Sequence, residues 1–437
     1  MPAGKIQEIE AVLANGSKKR LLDLNAWELF NISNDETMKL YDLAFETIYG
    51  AEGQTAENYA IFQSGVAEFS IGKAGLSYMY DWLRDINKKT PVPEWTDGHI
   101  PRPKIFVSAT AHYSIRKSLS ILGFGESSVE KVVVDLDSRI CQKALKGHLS
   151  DCLAKKIPVL GVVGIVGSTE ESTVDDLEGI LALKKEFADQ NLFFHFHIDG
   201  AYGGYFVAMT KDRQPGHWNS YSQFVERQLL SFCKADSITF DPHKTGYVPY
   251  ACGGIIYRNH RLRDNLSFSA PYIYTGAEPN MAIYGIEGSK PGSSVTSVYL
   301  SLQVLPLVRG GHGELLERTM LNTKIFTASL YRVKEIDVEY LYGNNQKLTE
   351  RFECLMLPRL YCEKENKPEL KEAEMAAIVK ISETGPTELE GLVTGSQDPN
   401  FQNFYHCLGP DLNIVCYGLN FIDQATGKFN TSLKKYI

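Results

Sequence analysis

The sequence lacks several features that would assign a chain of 437 residues to a class at once. Its opening residues contain no apolar signal core, and no apolar run approaches the length of a transmembrane helix. The eight cysteines are scattered without a CxxC pair, which argues against a zinc site or a dense disulfide framework. At a net charge of −8 there is no basic block of the nucleic-acid-binding kind. These absences predict a cytoplasmic protein that binds a small molecule, without nucleic acid, membrane or metal.

Hydrophobic residues make up 43% of the chain and charged residues 22%, a balance typical of globular proteins with a large core. From residue 105 onward, short apolar runs alternate with helical patterns, which predicts an α/β fold with a mainly parallel sheet and helices on both faces. The predicted strands are Ile105–Ser108, Lys131–Val134, Val159–Val166, Phe193–Asp199, Ser237–Phe240 and Gly254–Tyr257. The predicted helices between them are Tyr113–Leu122, Arg139–Lys155, Val174–Asp189 and Tyr221–Lys234.

The chain divides into three segments by the same patterns. Residues 1–90 look mainly helical, and a cluster of prolines from Pro91 to Pro103 marks the entry to the next segment. The sheet region occupies residues 91–310 and forms the large domain. After Gly310 and Gly311 a long helical pattern leads into a smaller C-terminal α/β domain, residues 311–437.

The most informative strand is followed by the segment HFHIDGAYGG, residues 195–204. Alternate residues of a strand share a face, so His195, His197 and Asp199 point the same way. Asp199 comes where the apolar strand gives way to small residues, including Ala201, that let a flat ligand approach the backbone. A carboxylate there can keep a pyridine nitrogen protonated, which makes the ring an electron sink. The alternative is an aspartate that caps a tight turn.

Lys244 follows another predicted strand, in the segment DPHKTGY. A lysine becomes a nucleophile only when its amine can lose a proton, which burial and a neighbouring imidazole or cofactor cation favour. His243 supplies such an imidazole. Most loop lysines are merely solvated, but the surrounding motif favours a chemical role for this one.

Two further strand ends carry polar side chains. His112, after Ile105–Ser108, can stack on an aromatic ring, and Ser114 can cap the next helix. Ser168 and Thr169, after Val159–Val166, offer hydroxyl groups to the same crevice. For this last segment a plain turn, with Asp175 beside the following helix, is an equal alternative. Ligands of parallel sheets bind outside the carboxyl ends of the strands, so all four strand ends point to one region.

Taken together, the four motifs resemble those of the group II pyridoxal 5′-phosphate (PLP)-dependent amino-acid decarboxylases, which include the glutamate, aromatic-amino-acid and tyrosine decarboxylases. The resemblance runs from about residue 105 to residue 292. It is carried by His197-Ile198-Asp199-Gly200-Ala201-Tyr202-Gly203-Gly204, by Asp241-Pro242-His243-Lys244, by the AHYS segment around His112 and by Gly167-Ser168-Thr169. In detail the chain looks most like a long decarboxylase-like subgroup, as the phrases KKRLLDLNAWELFN and YGIEGSKPGSS indicate.

The resemblance implies the PLP-dependent transferase fold, known as fold type I or the aspartate aminotransferase fold. It implies that Lys244 carries PLP as a Schiff base, that Asp199 pairs with the pyridine nitrogen and that His112 stacks on the ring. Ser168 or Thr169 and Ala201 lie near the cofactor in this comparison, and His243 contacts the phosphate or assists protonation. The implied reaction converts an aromatic or acidic L-amino acid to its amine and CO₂.

The resemblance also implies a homodimer with active sites at the subunit interface. Ser289, next to Gly288, then reaches the phosphate bound by the partner subunit. Tyr272 and Tyr274 are the candidates for the loop tyrosine that delivers a proton in this family.

One family motif is missing from the sequence. The Gly-Gly-Thr/Ser segment that binds phosphate at a helix N-terminus is absent, and the nearest stretch, residues 65–75, lacks paired glycines and carries Glu68. We therefore expect a family member that lacks its N-terminal portion and its extreme C-terminus. Two other functions stay open: a different PLP-dependent carbon–carbon lyase or aldehyde-forming enzyme, and a non-catalytic homologue.

Overall fold

The computed structural model describes residues 7–212, 218–266, 290–333, 335–342, 346–356 and 360–422. Its helices are α1 (Ala26–Phe30), α2 (Asn34–Tyr49), α3 (Ala56–Ala67), α4 (Ile71–Lys89), α5 (Ser114–Ile121), α6 (Gln142–Lys155), α7 (Leu177–Ala188), α8 (Gln223–Leu230), α9 (Gly292–Val304), α10 (Glu314–Arg332), α11 (Tyr361–Lys364), α12 (Lys371–Glu383), α13 (Leu389–Thr394) and α14 (Phe401–Cys407). Its strands are β1 (Glu10–Val12), β2 (Lys18–Arg20), β3 (Lys104–Ser108), β4 (Val129–Val132), β5 (Val159–Ile165), β6 (His195–Gly200), β7 (Ser237–Phe240), β8 (Gly254–Tyr257), β9 (Glu335–Tyr342), β10 (Gln346–Met356) and β11 (Tyr417–Ile422).

A six-stranded sheet in the order β4-β3-β5-β6-β7-β8 forms the centre of the fold. The strands from β3 to β7 are parallel, and β8 pairs with β7 in the antiparallel direction. Each predicted strand of this region corresponds to one of these strands, although β4 begins and ends two residues before its predicted bounds. The prediction of a mainly parallel sheet in an α/β fold is therefore confirmed.

Burial along the central strands follows from their place in the sheet. Most residues of β5 are buried, as expected for a strand that is covered on both faces. On β6, Phe196 and Ile198 are fully buried, whereas His195, His197 and Asp199 are half-buried. The apolar face of β6 belongs to the main core, which includes Leu177 and Ile180 of α7 and similar residues of the neighbouring helices. The polar side chains of β6 are thus partly accessible and available for a chemical role.

The N-terminal region is only partly as predicted. Residues 26–89 form α1 to α4, and a capping box between Asn25 and Glu28 begins α1. Ahead of them, β1 and β2 form a short antiparallel hairpin, which the sequence patterns of this mainly helical segment did not indicate. The hairpin is possible because Gly16 adopts a φ of +82° in its turn, a conformation that glycine reaches without strain.

Residues beyond 314 form a separate apolar core and a three-stranded sheet. The core includes Ile378 and Ile381 of α12 with Phe401 and Phe404 of α14, and the antiparallel sheet has the order β11-β10-β9. The start of α10 belongs to the main core instead, through Leu316. The boundaries at residues 90 and 310 stay predictions. In the part of the chain described above, no helix has both the length and the apolar character needed to cross a membrane.

Candidate active site

The carboxyl ends of β3, β5, β6 and β7 meet at one edge of the central sheet, because these strands are parallel neighbours. The loops that follow them carry the predicted site residues: His112 after β3, Ser168 and Thr169 after β5, Ala201 after β6, and His243 and Lys244 after β7. Asp199 is the second-to-last residue of β6 itself. The topology therefore brings the predicted residues to the edge where parallel sheets bind ligands.

Hydrogen bonds join three of these loops directly. The Gly203 amide donates to the carbonyl of Val166 at 2.9 Å, which ties the loop after β6 to the end of β5. The Asp241 amide donates to the carbonyl of Ala201 at 3.2 Å, which ties the loop after β7 to the loop after β6. These hydrogen bonds fix the loops relative to one another at this edge of the sheet.

Asp199 has one carboxylate oxygen engaged and one available. Its Oδ1 atom accepts a hydrogen bond from the Ala201 amide at 3.2 Å, which closes the turn after β6. Among the residues that the structure describes, none donates a hydrogen bond to Oδ2. The turn-capping role and the predicted role at a ring nitrogen are consequently compatible, since each needs a different oxygen.

Lys244 is held at the edge by an ion pair and remains reachable from solvent. Its Nζ atom lies 2.8 Å from Oδ2 of Asp241, three residues earlier, and 37% of its side chain is exposed. Asp241 was not predicted to belong to the site. The aspartate is one turn away in sequence, so the i, i+3 spacing was a signal that could have identified it.

The loop that carries Lys244 is anchored from both sides. Thr245 is buried, and its hydroxyl donates to the carbonyl of Tyr202 at 2.5 Å. His312 is fully buried, and its Nε2 atom lies 3.2 Å from the carbonyl oxygen of Gly246. Sequence patterns gave no indication of His312, because it lies 66 residues from Gly246 and reaches the loop only through tertiary packing.

Both predicted imidazoles are exposed and bonded to nearby backbone. The ring of His243 contacts the carbonyl and the amide of Cys252 through Nδ1. The Nδ1 atom of His112 accepts a hydrogen bond from the Ser114 amide at 3.3 Å and lies 2.8 Å from the Ser114 hydroxyl. The prediction that Ser114 caps α5 was wrong: the imidazole of His112 accepts this amide at the start of the helix.

The loop after β5 is a compact turn with an inward-facing serine. Ser168 is buried, and its hydroxyl lies 2.9 Å from Oε2 of Glu171 and 3.1 Å from the hydroxyl of Thr173. Thr169 is exposed at the tip of the turn. The two hydroxyl groups that the sequence predicts for the site are therefore placed differently, with Ser168 used by the turn and Thr169 open to solvent.

Asp175 has a different structural role from the one predicted. It is fully buried and accepts hydrogen bonds from the amides of Ile140 at 2.6 Å and Ile165 at 2.8 Å. Burial raises its pKa to about 7, although these two hydrogen bonds act in the opposite direction. The carboxylate that caps α7 is its neighbour Asp176, which accepts from the Gly179 amide.

A cleft of about 450 Å³ lies at the opposite edge of the sheet, where β6 and β7 begin. The buried carboxylate of Asp236 lies there between Lys184 and Arg258. Burial alone would raise the pKa of Asp236, but the Lys184 ammonium and the hydrogen bond from the Phe196 amide together help to bring the pKa below its ordinary value. None of the predicted site residues lines this cleft. Ser289, Gly288, Tyr272 and Tyr274 lie outside the described residues.

The side chains at the first edge fit the chemistry of PLP. The open oxygen of Asp199 can accept the N–H of a pyridine ring, and the exposed amine of Lys244 can reach an aldehyde. His112, on the loop after β3 at the same edge of the sheet, has an exposed imidazole. A parallel α/β sheet with these groups on the loops of one edge agrees with the class that the sequence resembles, the PLP-binding proteins of fold type I.

Comparison with known families makes this assignment specific. Residues 46–335, more than half of the chain, match the family described as pyridoxal-dependent decarboxylase conserved domain. The chain belongs to this family and has its fold, fold type I, and PLP is the family's cofactor.

Curated relatives are similar over part of their length. An L-tyrosine decarboxylase of Levilactobacillus brevis is 36% identical over 234 residues, which cover 48% of this chain and 37% of the relative. An L-tyrosine decarboxylase of Enterococcus faecalis is 32% identical over 312 residues, 66% of this chain and 44% of the relative. An aspartate 1-decarboxylase of Aliivibrio fischeri is 31% identical over 191 residues, 44% and 32% respectively. The matched part of the chain thus spans less than half the length of each of these relatives.

Solved structures show weaker similarity. The crystal structure of mouse CSAD aligns with a TM-score of 0.45 at 17% identity, covering 85% of this chain and 82% of that one. The crystal structure of Oryza sativa TDC with PLP and tryptamine aligns with a TM-score of 0.45 at 16% identity, covering 65% and 56%.

Proposed function

We propose that this chain catalyses the PLP-dependent decarboxylation of an L-amino acid, which yields the corresponding amine and CO₂. One observation carries the proposal: Lys244 lies on the loop after β7, beside the strand whose end presents an open oxygen of Asp199. The family match and the decarboxylases among the relatives support it.

Within this proposal each residue has a defined part in holding the cofactor. Lys244 would hold the cofactor through its aldehyde group, Asp199 would accept the hydrogen bond of the ring nitrogen and His112 would lie against the ring. Thr169 is the better-placed hydroxyl of the turn after β5, because the Ser168 hydroxyl is already bonded inside that turn. The remaining cofactor-binding residues are Ala201, His243 and Ser289.

When bound, PLP supplies an electron sink for the pair of electrons that the departing CO₂ leaves on Cα. The protein's contribution is electrostatic and positional. Asp199 keeps the proton on the ring nitrogen, because a carboxylate stabilises a neighbouring positive charge. Asp241 holds the Lys244 ammonium through their ion pair, and must release it before the amine can act. His243, exposed and next to Lys244, is placed to donate a proton or to contact the phosphate.

The substrate we propose is an aromatic or an acidic L-amino acid. The relatives from Levilactobacillus brevis and Enterococcus faecalis are L-tyrosine decarboxylases, and the relative from Aliivibrio fischeri is an aspartate 1-decarboxylase. These names support L-tyrosine and L-aspartate as the first substrates to assay.

We further propose a cytoplasmic homodimer with its active sites at the subunit interface. Free thiols such as those of Cys141, Cys152 and Cys362 are typical of a reducing compartment. Large apolar side chains are exposed on α4 and α9, where Trp82 and Tyr299 are 50% and 62% accessible, and such surfaces favour association.

The proposal is tested by adding PLP to the purified chain and recording the absorbance of the bound cofactor. Borohydride reduction followed by peptide mass spectrometry should then locate the cofactor on Lys244, and the Lys244→Ala variant should not retain it. Lys234→Ala, which removes an exposed lysine near the opposite edge of the sheet, is the matched control and should behave like the wild type.

Activity is measured as release of CO₂ and amine from L-tyrosine and L-aspartate. Identical spectra for the wild type and Lys244→Ala would refute the assignment of Lys244. An aldehyde pair in place of an amine and CO₂ would refute decarboxylation while leaving the cofactor assignment intact.

A further inference from the structure

A continuous row of polar side chains crosses β6 and β7 on the face that carries Asp199. The Nδ2 atom of Asn34, at the start of α2, lies 2.8 Å from Nδ1 of His195. The Nε2 atom of His195 lies 2.7 Å from the hydroxyl of Ser237, and that hydroxyl lies 2.8 Å from Nδ1 of His197. One hydroxyl group therefore links two imidazoles on the neighbouring strand.

The row ends beside Asp199. The Nε2 atom of His197 lies 3.4 Å from the hydroxyl of Thr239, and Thr239 is the register partner of Asp199 on β7. His197 and Asp199 are on the same face of β6, because they are two residues apart on a strand. Burial lowers the pKa of His197, and the nearby Asp199 carboxylate opposes that fall.

The direction of these hydrogen bonds follows from what each group can donate. The amide nitrogen of Asn34 only donates, so Nδ1 of His195 accepts. Burial lowers the pKa of His195 to about 4, so its ring is neutral near pH 7 and its one proton is on Nε2. That N–H donates to Ser237. The serine then has its single hydrogen available for Nδ1 of His197, and a bond in that direction requires the proton of His197 to be on Nε2.

We propose that Ser237 and His195 are positioning residues that fix His197 with its proton on Nε2, so that an N–H donor is directed toward the Asp199 end of the strand. That end of the strand carries the Asp199 carboxylate, which the proposed function pairs with the ring nitrogen of the cofactor, and in this respect the inference rests on the proposed function.

The location of the proton can be tested without cofactor, by ¹⁵N NMR of the full chain labelled at histidine. In a neutral imidazole the nitrogen without a proton resonates far downfield of the N–H nitrogen, so the spectrum identifies the tautomer. The His197→Gln variant assigns the signals by removing them. In the wild type we expect His197 with its proton on Nε2, and a proton on Nδ1 would overturn the proposal.

Variants then test whether the row sets this tautomer. Ser237→Ala removes the bridging hydroxyl, and we expect both tautomers of His197 to appear. Asn34→Ala acts from the start of α2 and should have the same effect if Ser237→Ala does not fold. Ser231→Ala is the matched control, because Ser231 is also buried and donates only to the carbonyl of Arg227. If His197 keeps one tautomer in both test variants, the proposal is wrong.

A titration with PLP tests the consequence for Asp199. We expect Ser237→Ala to weaken binding about tenfold, a magnitude typical of groups that orient a ligand-binding residue. Ser231→Ala should bind as the wild type does. Equal affinities in Ser237→Ala and wild type would overturn the link to Asp199. A wild type that binds no PLP but has the His197 proton on Nε2 would refute the proposed function and support the proton assignment.

Discussion

Gly203 lies where the loops after β5 and β6 touch, and the absence of a side chain allows that contact. A Cβ atom there would lie 2.4 Å from the carbonyl oxygen of Val166 and 2.6 Å from Val166 Cγ1. Both distances are far below ordinary contact, so a larger residue must separate the two loops. From the sequence we expected small residues here to admit a flat ligand. The structure adds a second reason for a small residue at this position: the two loops pack directly against each other.

The Gly203→Ala substitution should therefore lower the free energy of unfolding by about 1–3 kcal/mol, as overpacking does elsewhere. Urea unfolding followed by circular dichroism measures the change. Gly147→Ala is the matched control, since Gly147 lies within α6 and a Cβ there meets nothing within 4 Å. That variant should gain up to about 1 kcal/mol from helix propensity. A gain of stability in both variants would show that the loops can separate freely.

His195 makes the stability of the chain depend on pH. Burial lowers its pKa from 6.5 to about 4, so between these values the unfolded chain binds a proton that the folded chain does not. Stability from this group is fully present above pH 6.5 and is lost as the pH falls toward 4. His195→Gln removes the titration. We expect the wild type's stability relative to the variant to fall by about 1–2 kcal/mol between pH 7 and pH 5.

Urea unfolding of both proteins at the two pH values measures this difference. Titrating groups remote from His195, such as His406, are shared by the two proteins and cancel in the comparison. The difference in unfolding free energy between the wild type and His195→Gln could instead be the same at pH 7 and pH 5. That result would show that the folded state binds a proton at His195 as readily as the unfolded state does.

Among the elements, the segment before β11 is fastened to the central fold by one buried ion pair. Arg139 donates to both oxygens of Asp411, at 3.1 Å from Nε and 2.6 Å from Nη2. The same carboxylate accepts the Val174 amide at 2.9 Å, and the guanidinium lies 3.8 Å from the ring centroid of Phe224. Only 18% and 13% of the two charged side chains are exposed. The pair is thus shielded from solvent and hydrogen-bonded throughout.

Asp411→Ala should lower the free energy of unfolding by about 3–5 kcal/mol, because it removes the carboxylate that forms both hydrogen bonds with the buried Arg139 guanidinium. Asp189→Ala breaks the exposed pair with Lys185 and serves as the control, with an expected cost below about 1 kcal/mol. Thermal and urea unfolding of the two variants would measure the contrast. If the two variants lose similar amounts of unfolding free energy, the Arg139 site is open to water.

The central elements were predictable because their signal is local. The predicted strand Ser237–Phe240 has the same bounds as the observed β7. An apolar run between polar residues indicates a buried strand regardless of which strands lie beside it in the sheet. The direction of β8 was not predictable, as it depends on how the chain returns to the sheet. The link between His195 and Ser237 joins residues 42 positions apart, and the strand register that creates it cannot be read from either segment alone.

For the whole molecule, the exposed apolar surface of α9 bears on the proposed dimer. No residue of this helix is buried, and Val295, Tyr299 and Val304 are 69%, 62% and 79% exposed. Burial of apolar surface of this kind contributes about 25 cal/mol per Å². In the proposed homodimer, a second copy of the chain would cover this surface.

The double substitution Tyr299→Lys and Val304→Lys should convert a dimer to a monomer in sedimentation velocity at micromolar concentration, because it places charges in the contact. Leu22→Lys, which changes a side chain that is 63% exposed near β2, is the control and should leave the dimer intact. A double variant that still sediments as a dimer would exclude α9 from the interface.

The contact between Arg139 and Asp411 also has a consequence for synthesis on the ribosome. The two residues are 272 positions apart in sequence. At about 5–20 residues per second, roughly 15 to 55 seconds pass between their appearance. During this interval the guanidinium lacks the Asp411 carboxylate and the Val174 amide lacks its acceptor. The hydrogen bonds to Asp411 can therefore form only after all six strands of the central sheet have been synthesised.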